Sequence, residues 1–296
     1  MNTNYMKSVL NYYYKLVNIE IYKMNEMYYI KEDNNEYILE NTYYPVEEIK
    51  EIYKLNLDNY GYHQIIKNIN NELITNINNV YYILLKKNKF NLDINKLIFN
   101  TVYIDEKNSM LDRSNWPVLW ENKIDYFEYQ LTHLEGKYPL ISETIDYFIG
   151  MGENAIIYIK NTIKINNKDK RDILTISHRR IEKSNYLNPL NVILDHKSRD
   201  ISEYLKYIFI RNEYKNINLE NLLLKINLSN YGYRLLYGRL YFPSYYFDLY
   251  EKIINENKSE ELLKPIIYKI KKYEDYLDYI YKIINKKEKI EYIDWK

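Results

Sequence analysis

The 296-residue chain contains no cysteine. A disulfide framework and a thiolate nucleophile are therefore excluded, and this absence is typical of a protein that works in a reducing cytoplasm. The first residues contain no apolar core followed by a small-residue cleavage site, so we expect no signal peptide. No window of the sequence approaches the roughly 20 apolar residues that a membrane-spanning helix needs. These absences predict a soluble cytoplasmic protein.

The sequence also has almost no net charge. Its 42 Lys and Arg residues oppose 41 Asp and Glu residues, which leaves +1. Because no overall field would attract nucleic acid or an anionic membrane, we expect neither as a partner. The 46% hydrophobic and 28% charged residues are typical of a globular protein. The 38 tyrosines accompany many Asn, Ile and Lys residues. That bias indicates an AT-rich genome, so tyrosine clusters are not interpreted as functional signals.

The first part of the chain alternates between helical and strand patterns. Residues 1–26 contain a candidate amphipathic helix, and residues 27–41 are typical of a hairpin that turns at Asp33. A second helix is predicted from Pro45, because proline is favoured in a first turn. Three further strands are predicted up to Lys87.

Beyond residue 88 the apolar residues recur mostly with the helical period. We therefore predict an α+β protein with two lobes. Residues 1–88 form an N-terminal strand lobe with about five strands and two helices, and residues 89–296 form a helical C-terminal lobe, with the boundary near residues 87–91.

The stretch from Asp172 to Tyr207 contains the pattern that most clearly indicates a catalytic function. A short apolar strand leads into a polar loop at His178, and a second strand ends at Asp195 before an amphipathic helix. A kinase builds its phosphoryl-transfer site in this order, with a base and an Asn on the loop and a metal-binding Asp on the second strand. The loop HRRIEKSN matches the kinase pattern H-R-D-L-x-x-x-N at His178, Arg179, Ile181 and Asn185. Arg180 stands where the catalytic base belongs.

These segments resemble the protein-kinase-like superfamily and, within it, the aminoglycoside/choline phosphotransferase branch. The resemblance is closest to the spore-coat kinase-like proteins of Gram-positive bacteria. The segments that carry it are Trp120 with the helix after it, FIGMGENAI, HRRIEKSN, LD followed by RDISEYLKYIF, LLYGRLYFPSYYFDLYEKII and the final IDW. It implies a bilobal α+β fold with a small N-terminal strand lobe and a large, mostly helical C-terminal lobe around a catalytic-loop strand pair.

The resemblance also implies roles for individual residues. His178 would brace the catalytic loop, and Asn185 and Asp195 would bind Mg²⁺ together. Asp200, after Arg199, would cap the following helix. Arg180 would occupy the position of the catalytic Asp, although a guanidinium cannot act as a base near neutral pH.

The residues themselves also allow purely structural roles. Asp195 is a carboxylate that would suit a cap for the helix near Ser198, and Asn185 would suit hydrogen bonds within a turn. His178 is more often a structural histidine. Arg180 would either pair with a carboxylate or hold a phosphate or acidic substrate bidentately.

The N-terminal lobe departs further from the kinase pattern. Its hairpin contains no glycine, so it has no G-x-G-x-x-G loop, and Glu40 stands where a phosphate-binding Lys is expected. ATP and Mg²⁺ would therefore bind weakly or not at all.

Three functions remain open at this point. The first, which we favour, is a non-catalytic scaffold or binding protein with protein partners, located in the cytoplasm or the spore coat. The second is an active ATP- and Mg²⁺-dependent phosphotransferase for a small molecule of the aminoglycoside or choline type. The third is an unrelated helical interaction protein in which HRRIEKSN matches by chance.

Overall fold

The structure, a computed structural model, describes residues 3–24, 27–88, 102–103, 109–134, 136–183 and 185–294. The chain divides into two compact units. The first comprises Met1–Leu97, Glu106–Asp112 and Glu182–Ile193, and the second comprises Ile98–Asp105, Arg113–Ile181 and Leu194–Lys296. The lobe boundary predicted near residues 87–91 lies partly outside the described residues and stays a prediction.

An antiparallel sheet organises the first unit. Its strands are β1 (Glu20–Met24), β2 (Met27–Glu32), β3 (Asn35–Asn41), β4 (Gln64–Ile66), β5 (Thr75–Ile77) and β6 (Val80–Lys86). The strand order is β1-β2-β3-β6-β4, and β5 also pairs with β6. Strands β2 and β3 form the predicted hairpin, and Asp33 in its turn has a φ of 50°. Asp tolerates this left-handed conformation better than most residues, which is why the turn was recognisable.

The helices of the first unit are α1 (Thr3–Tyr14) and α2 (Val46–Lys54). Helix α1 joins the sheet in one core, where its buried Met6 and Leu10 belong to the same cluster as Leu39 and Leu84. Helix α2 starts directly after Pro45, as predicted. The expectation for residues 1–26 was incomplete, because α1 ends at Tyr14 and β1 follows.

The end of α1 has a local cause. Lys15 and Asn18 adopt positive φ values of 60° and 54°. Left-handed residues cannot continue a right-handed helix, so the chain leaves the helix here and enters β1 as an extended strand.

The second unit is mostly helical, as predicted. Its helices are α3 (Trp116–Leu131), α4 (Pro139–Ile165), α5 (Ser198–Ile210), α6 (Leu219–Lys225), α7 (Asn230–Tyr241), α8 (Ser244–Glu256), α9 (Lys264–Ile267) and α10 (Ile270–Lys287), and the two-stranded sheet consists of β7 (Leu174–His178) and β8 (Val192–His196). Helix α4 packs against α3 and α7, and α7 packs against α5. Within the described ranges, no helix is long and apolar enough to cross a membrane.

Aromatic side chains fill much of the helical core. The ring of Trp120 stacks on Phe242 with their centroids 4.1 Å apart, and Phe148 stacks on Tyr246 at 3.7 Å. Tyr233 is buried, and its hydroxyl donates to the carbonyl of Ile226 at 2.6 Å. A buried tyrosine with a bonded hydroxyl serves as a large core residue, so much of the tyrosine content has a structural use.

Helix α5 has an unusual environment for an amphipathic sequence. Its residues from Ser198 to Phe209 are all buried, including the polar face that contains Glu203 and Lys206. A buried charge needs a partner or hydrogen bonds to be tolerated. The surroundings of this polar face therefore contain the main electrostatic features of the second unit.

Candidate functional site

The end of β7 is fixed to the first turn of α5. Asp200 accepts a hydrogen bond from the His178 amide through Oδ1 at 2.8 Å, and its Oδ2 lies 2.8 Å from His178 Nδ1. Both side chains are buried. The carboxylate thus holds the strand end in place. The loop-bracing role implied for His178 stays a prediction. The expected capping role of Asp200 is not what the structure shows, because its carboxylate faces His178. The first amide of α5, that of Ser198, donates to His196 Nδ1 at 3.1 Å.

Asp195 is surrounded by donors from the protein itself. Its Oδ2 accepts from Trp116 Nε1 at 2.7 Å and from Arg199 Nη1 at 2.8 Å, while its Oδ1 accepts from the His196 amide at 2.7 Å. The side chain is fully buried. Burial raises the pKa of Asp195, and the nearby cations Arg199 and Arg239 oppose that effect. The alternative in which Asp195 caps α5 is therefore not what this structure shows.

Arg199 links this carboxylate to the loop. Its Nε donates to the carbonyl of His178 at 2.8 Å, and its Nη2 donates to the carbonyl of Arg179 at 3.3 Å. One guanidinium therefore ties β8, α5 and the start of the HRRIEKSN loop together. Its donors form a rigid fork, which suits such a positioning task.

Asn185, the other expected metal ligand, belongs to the first unit. Its Oδ1 accepts from the Glu182 amide at 3.2 Å and lies 3.5 Å from Asn191 Nδ2. These contacts lie within one turn of the chain. They match the alternative in which Asn185 shapes the loop through turn hydrogen bonds.

These donors and acceptors do not fit a Mg²⁺ site. Magnesium requires oxygen ligands in near-octahedral geometry, whereas the Asp195 oxygens are engaged by three protein donors. The charge of Arg199, 2.8 Å away, would also repel a second cation. Across the described ranges, no group of three or more His, Cys, Asp or Glu residues could hold a metal ion. The shared metal on Asn185 and Asp195 stays a prediction.

Arg180 occupies the position of the catalytic base in the motif, and it forms a bidentate ion pair. Its Nε donates to Asp248 Oδ2 at 2.7 Å, and its Nη2 donates to Asp248 Oδ1 at 2.8 Å. Its Nη1 lies 3.5 Å from Glu203 Oε2. Burial alone would lower the pKa of Arg180, but the carboxylates of Glu203 and Asp248 raise it above its usual range. Arg180 is thus a permanent cation here and cannot accept a proton.

Glu203 is the centre of this charge cluster. It is fully buried on α5, and its Oε1 accepts from Arg239 Nε at 3.2 Å and Nη2 at 3.1 Å. Burial alone would raise the pKa of Glu203, but Arg180 and Arg239 bring it down to about 2. Arg239 in turn lies 4.6 Å from the centroid of the Trp116 ring, a cation–π distance.

The sequence did not identify Glu203, Arg239, Asp248 or Trp116 as part of the site. Arg180 and Asp248 are 68 residues apart, and Glu203 and Arg239 are 36 apart. No local spacing pattern connects them, so the tertiary fold alone brings them together. A weak signal was available in the charged face of α5, which a solvent-facing interpretation explained equally well.

In the first unit, Glu40 lies on β3 at the position where a phosphate-binding Lys is expected. Its Oε2 accepts from Asn188 Nδ2 at 2.6 Å. Burial raises the pKa of Glu40, and the hydrogen bond from Asn188 opposes this rise. The first glycine of the sequence is Gly61, so β1, β2 and β3 and the turns that join them contain none. Side chains therefore replace the bare backbone amides that a phosphate-binding loop offers.

Comparison with known proteins agrees with this architecture. Residues 7–280 match the family model described as "Spore coat putative kinase YutH". The Endospore coat-associated protein YutH of Bacillus subtilis (strain 168) is 29% identical over 193 residues, which are 57% of this chain and 57% of that protein. The alignment thus spans little more than half the length of this curated relative.

Two solved structures have a similar fold. The aminoglycoside phosphotransferase from Alicyclobacillus acidocaldarius subsp. acidocaldarius DSM 446 has a TM-score of 0.53 at 10% identity, with 91% of this chain and 94% of that chain covered. The AMP-bound complex of spectinomycin phosphotransferase has a TM-score of 0.51 at 12% identity, with 90% and 93% covered. At these identities the likeness concerns the fold alone.

These matches confirm the kinase-like phosphotransferase fold, and they exclude the alternative of an unrelated helical protein with a chance motif. The family model extends over most of the sequence, including the HRRIEKSN loop, β8 and α5. The chain belongs to this YutH spore coat family.

Proposed function

We propose that this chain is a kinase-fold component of the spore coat that binds other proteins and does not transfer phosphate. One observation carries the proposal. Arg180, at the motif position of the catalytic Asp, is engaged by Asp248 in a bidentate ion pair. Without a carboxylate there, the acceptor hydroxyl has no group to orient it or to take its proton, an effect typically worth about 10²–10⁴-fold.

The metal side of the site supports the same proposal. Kinase-type transfer depends on Mg²⁺ to hold and neutralise the phosphates. Asp195 instead accepts from Trp116 and Arg199. An ion would have to displace a buried guanidinium before it could use this carboxylate, and that exchange would leave a buried cation without its partner.

The first unit has few groups that would bind a triphosphate. A carboxylate at Glu40 would repel phosphate groups, and strands without glycine keep the backbone amides at a distance. If ATP and Mg²⁺ bind at all, we expect weak binding.

A relative supports the proposed location. The Bacillus subtilis protein is described as associated with the endospore coat. A coat location implies other coat proteins as partners, and these partners stay unidentified. Fractionation of mature spores of the organism that encodes this chain tests this location. We expect the protein in the coat extract and not in the core.

An active ATP- and Mg²⁺-dependent phosphotransferase for a small molecule is the second candidate. Its support is the fold of an aminoglycoside phosphotransferase and of an AMP-bound spectinomycin phosphotransferase. Loss of the base alone need not abolish transfer, because positioning and metal electrostatics carry most of the catalysis. In that case Asn185 and Asp195 would still hold the metal.

Nucleotide binding separates the two candidates. ATP would be titrated into the purified chain with Mg²⁺, with EDTA and with Mg²⁺ alone, by calorimetry and by thermal unfolding. We expect no heat and no stabilisation that depend on Mg²⁺. The Alicyclobacillus acidocaldarius enzyme provides a positive control of similar fold. Mg²⁺-dependent ATP binding that disappears in Asn185→Ala would support the second candidate instead.

A further inference from the structure

The second unit contains a cavity whose lining includes none of the site residues described above. Its volume is about 130 Å³. Helix α4 contributes Phe148 and Met151 to its wall, α5 contributes Lys206 and Phe209, and α10 contributes Tyr273. The segment between α7 and α8 closes another side. Apart from a few polar groups the lining is aromatic and aliphatic.

Lys206 is the buried cation on this wall. Only 3% of the residue is exposed. Its Nζ donates to the carbonyl of Phe242 at 2.7 Å and to Ser244 Oγ at 3.0 Å. An ammonium group has three N–H donors. Among the described residues no further acceptor hydrogen-bonds Lys206, so one donor remains available to a molecule in the cavity.

The shape and the chemistry of the cavity restrict its occupant. An apolar cavity of about 150 Å³ holds a benzene molecule, and the volume of about 130 Å³ found here is close to that size. A neutral hydrocarbon would leave the donor of Lys206 unsatisfied, and a cationic ligand would be repelled by it. An anion would satisfy the donor through a charge-assisted hydrogen bond.

We propose that this cavity binds a small aromatic carboxylate, with the ring between the aromatic side chains and the carboxylate on Lys206. Phe148 and Phe209 line the cavity, where a ring can pack against them. Neither Arg180 nor Asp195 lines the cavity, so it would serve as a ligand site even in a chain without phosphotransferase activity.

The protonation of Lys206 gives this proposal a pH dependence. Burial lowers the pKa of Lys206 to about 7, while Glu203 raises it and Arg239 and Arg180 lower it. Asp248 on α8 also raises it, and Lys269 and Tyr273 line the other side of the cavity. The cationic form that binds a carboxylate therefore dominates below about pH 7. Above this value the affinity should fall by up to about tenfold per pH unit.

Benzoate is the probe for the charged ligand, and toluene and benzylamine are neutral and cationic probes of similar size. Calorimetry and thermal unfolding at pH 6 and pH 9 would measure how tightly each probe binds to the wild-type chain. We expect benzoate to bind at pH 6 and at least tenfold more weakly at pH 9. We expect benzylamine not to bind at pH 6.

Lys206→Met keeps an unbranched side chain that is one heavy atom shorter, and it removes the charge. We expect it to weaken benzoate binding at least tenfold at pH 6 and not to weaken toluene binding. Lys252→Met, on the exposed side of α8, is the matched control and should bind like the wild type. Met151→Phe, which fills the cavity, should weaken both ligands.

Three results would overturn the proposal. One is equal benzoate affinity in the wild type and Lys206→Met. Another is benzoate binding that Met151→Phe does not affect. The third is no benzoate binding by the wild-type chain at pH 6. If Lys206→Met does not fold, the pH profile of the wild type and Met151→Phe still decide between these outcomes.

Discussion

Arg180 and Asp248 face each other as a guanidinium and a carboxylate with two parallel hydrogen bonds, at 2.7 Å and 2.8 Å. Arg180 stands at the position where kinases keep their catalytic Asp, and Asp248 comes from α8, far along the chain. The ion pair therefore gives a structural role to the arginine that stands in place of the catalytic Asp. An arginine that serves as a partner in a packed ion pair is not a neutral replacement for the lost base.

Asp248→Asn tests the structural value of this pair. The substitution keeps the shape of the side chain and removes the charge that Arg180 faces, with Glu203 as the remaining nearby carboxylate. We expect the free energy of unfolding to fall by roughly 1.5–3 kcal/mol, the usual range for hydrogen bonds to charged groups. Urea denaturation provides the measurement.

The matched control for this prediction is Asp275→Asn. The Asp275 side chain is 65% exposed and lies 3.4 Å from Lys271. Exposed ion pairs contribute little to the free energy of unfolding. Asp275→Asn should therefore change this free energy by no more than about 0.5 kcal/mol. An equal effect of both substitutions would contradict the structural role of Asp248.

Glu203→Gln tests the centre of the buried cluster. The substitution leaves Arg180, Arg239 and Lys206 around a neutral side chain, and breaking a buried pair in this way typically costs about 3–5 kcal/mol. We expect a loss of stability of that order at pH 7, measured by urea denaturation. A loss below about 1 kcal/mol would show that Glu203 does not neutralise these cations.

The same residue gives a pH-dependent prediction. The pKa of Glu203 is about 2 in the folded chain and 4.5 in its usual range. Between these values the unfolded chain binds more protons, so the stabilisation is complete above about pH 4.5 and is lost as the pH falls towards 2. The stability difference between wild type and Glu203→Gln should shrink across this window. A difference that stays constant from pH 5 to pH 2.5 would contradict the low pKa.

Lys206→Met should change how the free energy of unfolding depends on pH between neutral and alkaline conditions. Burial lowers the pKa of Lys206 from 10.5 to about 7. Between pH 7 and 10.5 the unfolded chain binds more protons, so wild-type stability contains a contribution that rises with pH in this window. Lys206→Met lacks this contribution. We expect the variant to gain stability relative to the wild type at pH 6 and to lose that advantage by pH 10. Lys252→Met should follow the wild-type profile throughout.

Two glycines in α4 make a matched pair. A Cβ at Gly152 would lie 2.9 Å from Ile124 Cδ1 and 3.5 Å from the rings of Phe242 and Phe247, whereas no described side chain lies within 4 Å of a Cβ at Gly150. Gly150→Ala should therefore stabilise the chain by roughly 0.5–1 kcal/mol through helix propensity. Gly152→Ala should destabilise it by roughly 1–3 kcal/mol, because it overpacks the core. Thermal unfolding of both variants checks the prediction, which fails if both substitutions stabilise.

The sequence was sufficient for the features that depend on local pattern. The hairpin at Asp33, the helix after Pro45 and the strand pair around HRRIEKSN all follow from periodicity and turn chemistry. The strand β1 was missed, because its short segment after Asn18 has no clear alternation of its own. It becomes a strand by pairing with β2.

The site could be predicted only in part. The motif pointed to His178, Arg180 and Asp195, but their partners come from distant helices. Helix α5 is the clearest case, since its apolar residues indicated one buried face and its charged residues indicated a solvated one. The structure buries both, because Arg239 and Arg180 supply the charges opposite Glu203. Pairing between distant segments leaves no periodic signal in a single sequence.

The most direct test of the central claim is the rate of γ-phosphate transfer from ATP in the presence of Mg²⁺. Aminoglycosides, choline and simple sugars would be offered as acceptors to the purified chain and to Arg180→Asp. We predict no transfer above background for either protein. The reversion places a third carboxylate beside Glu203 and Asp248, and it leaves Glu40 and the glycine-free strands unchanged. Transfer by the wild-type chain at about 1 s⁻¹, an ordinary kinase rate, would contradict the proposal, and its loss in Asp195→Ala would then identify a metal-dependent enzyme with a relocated base.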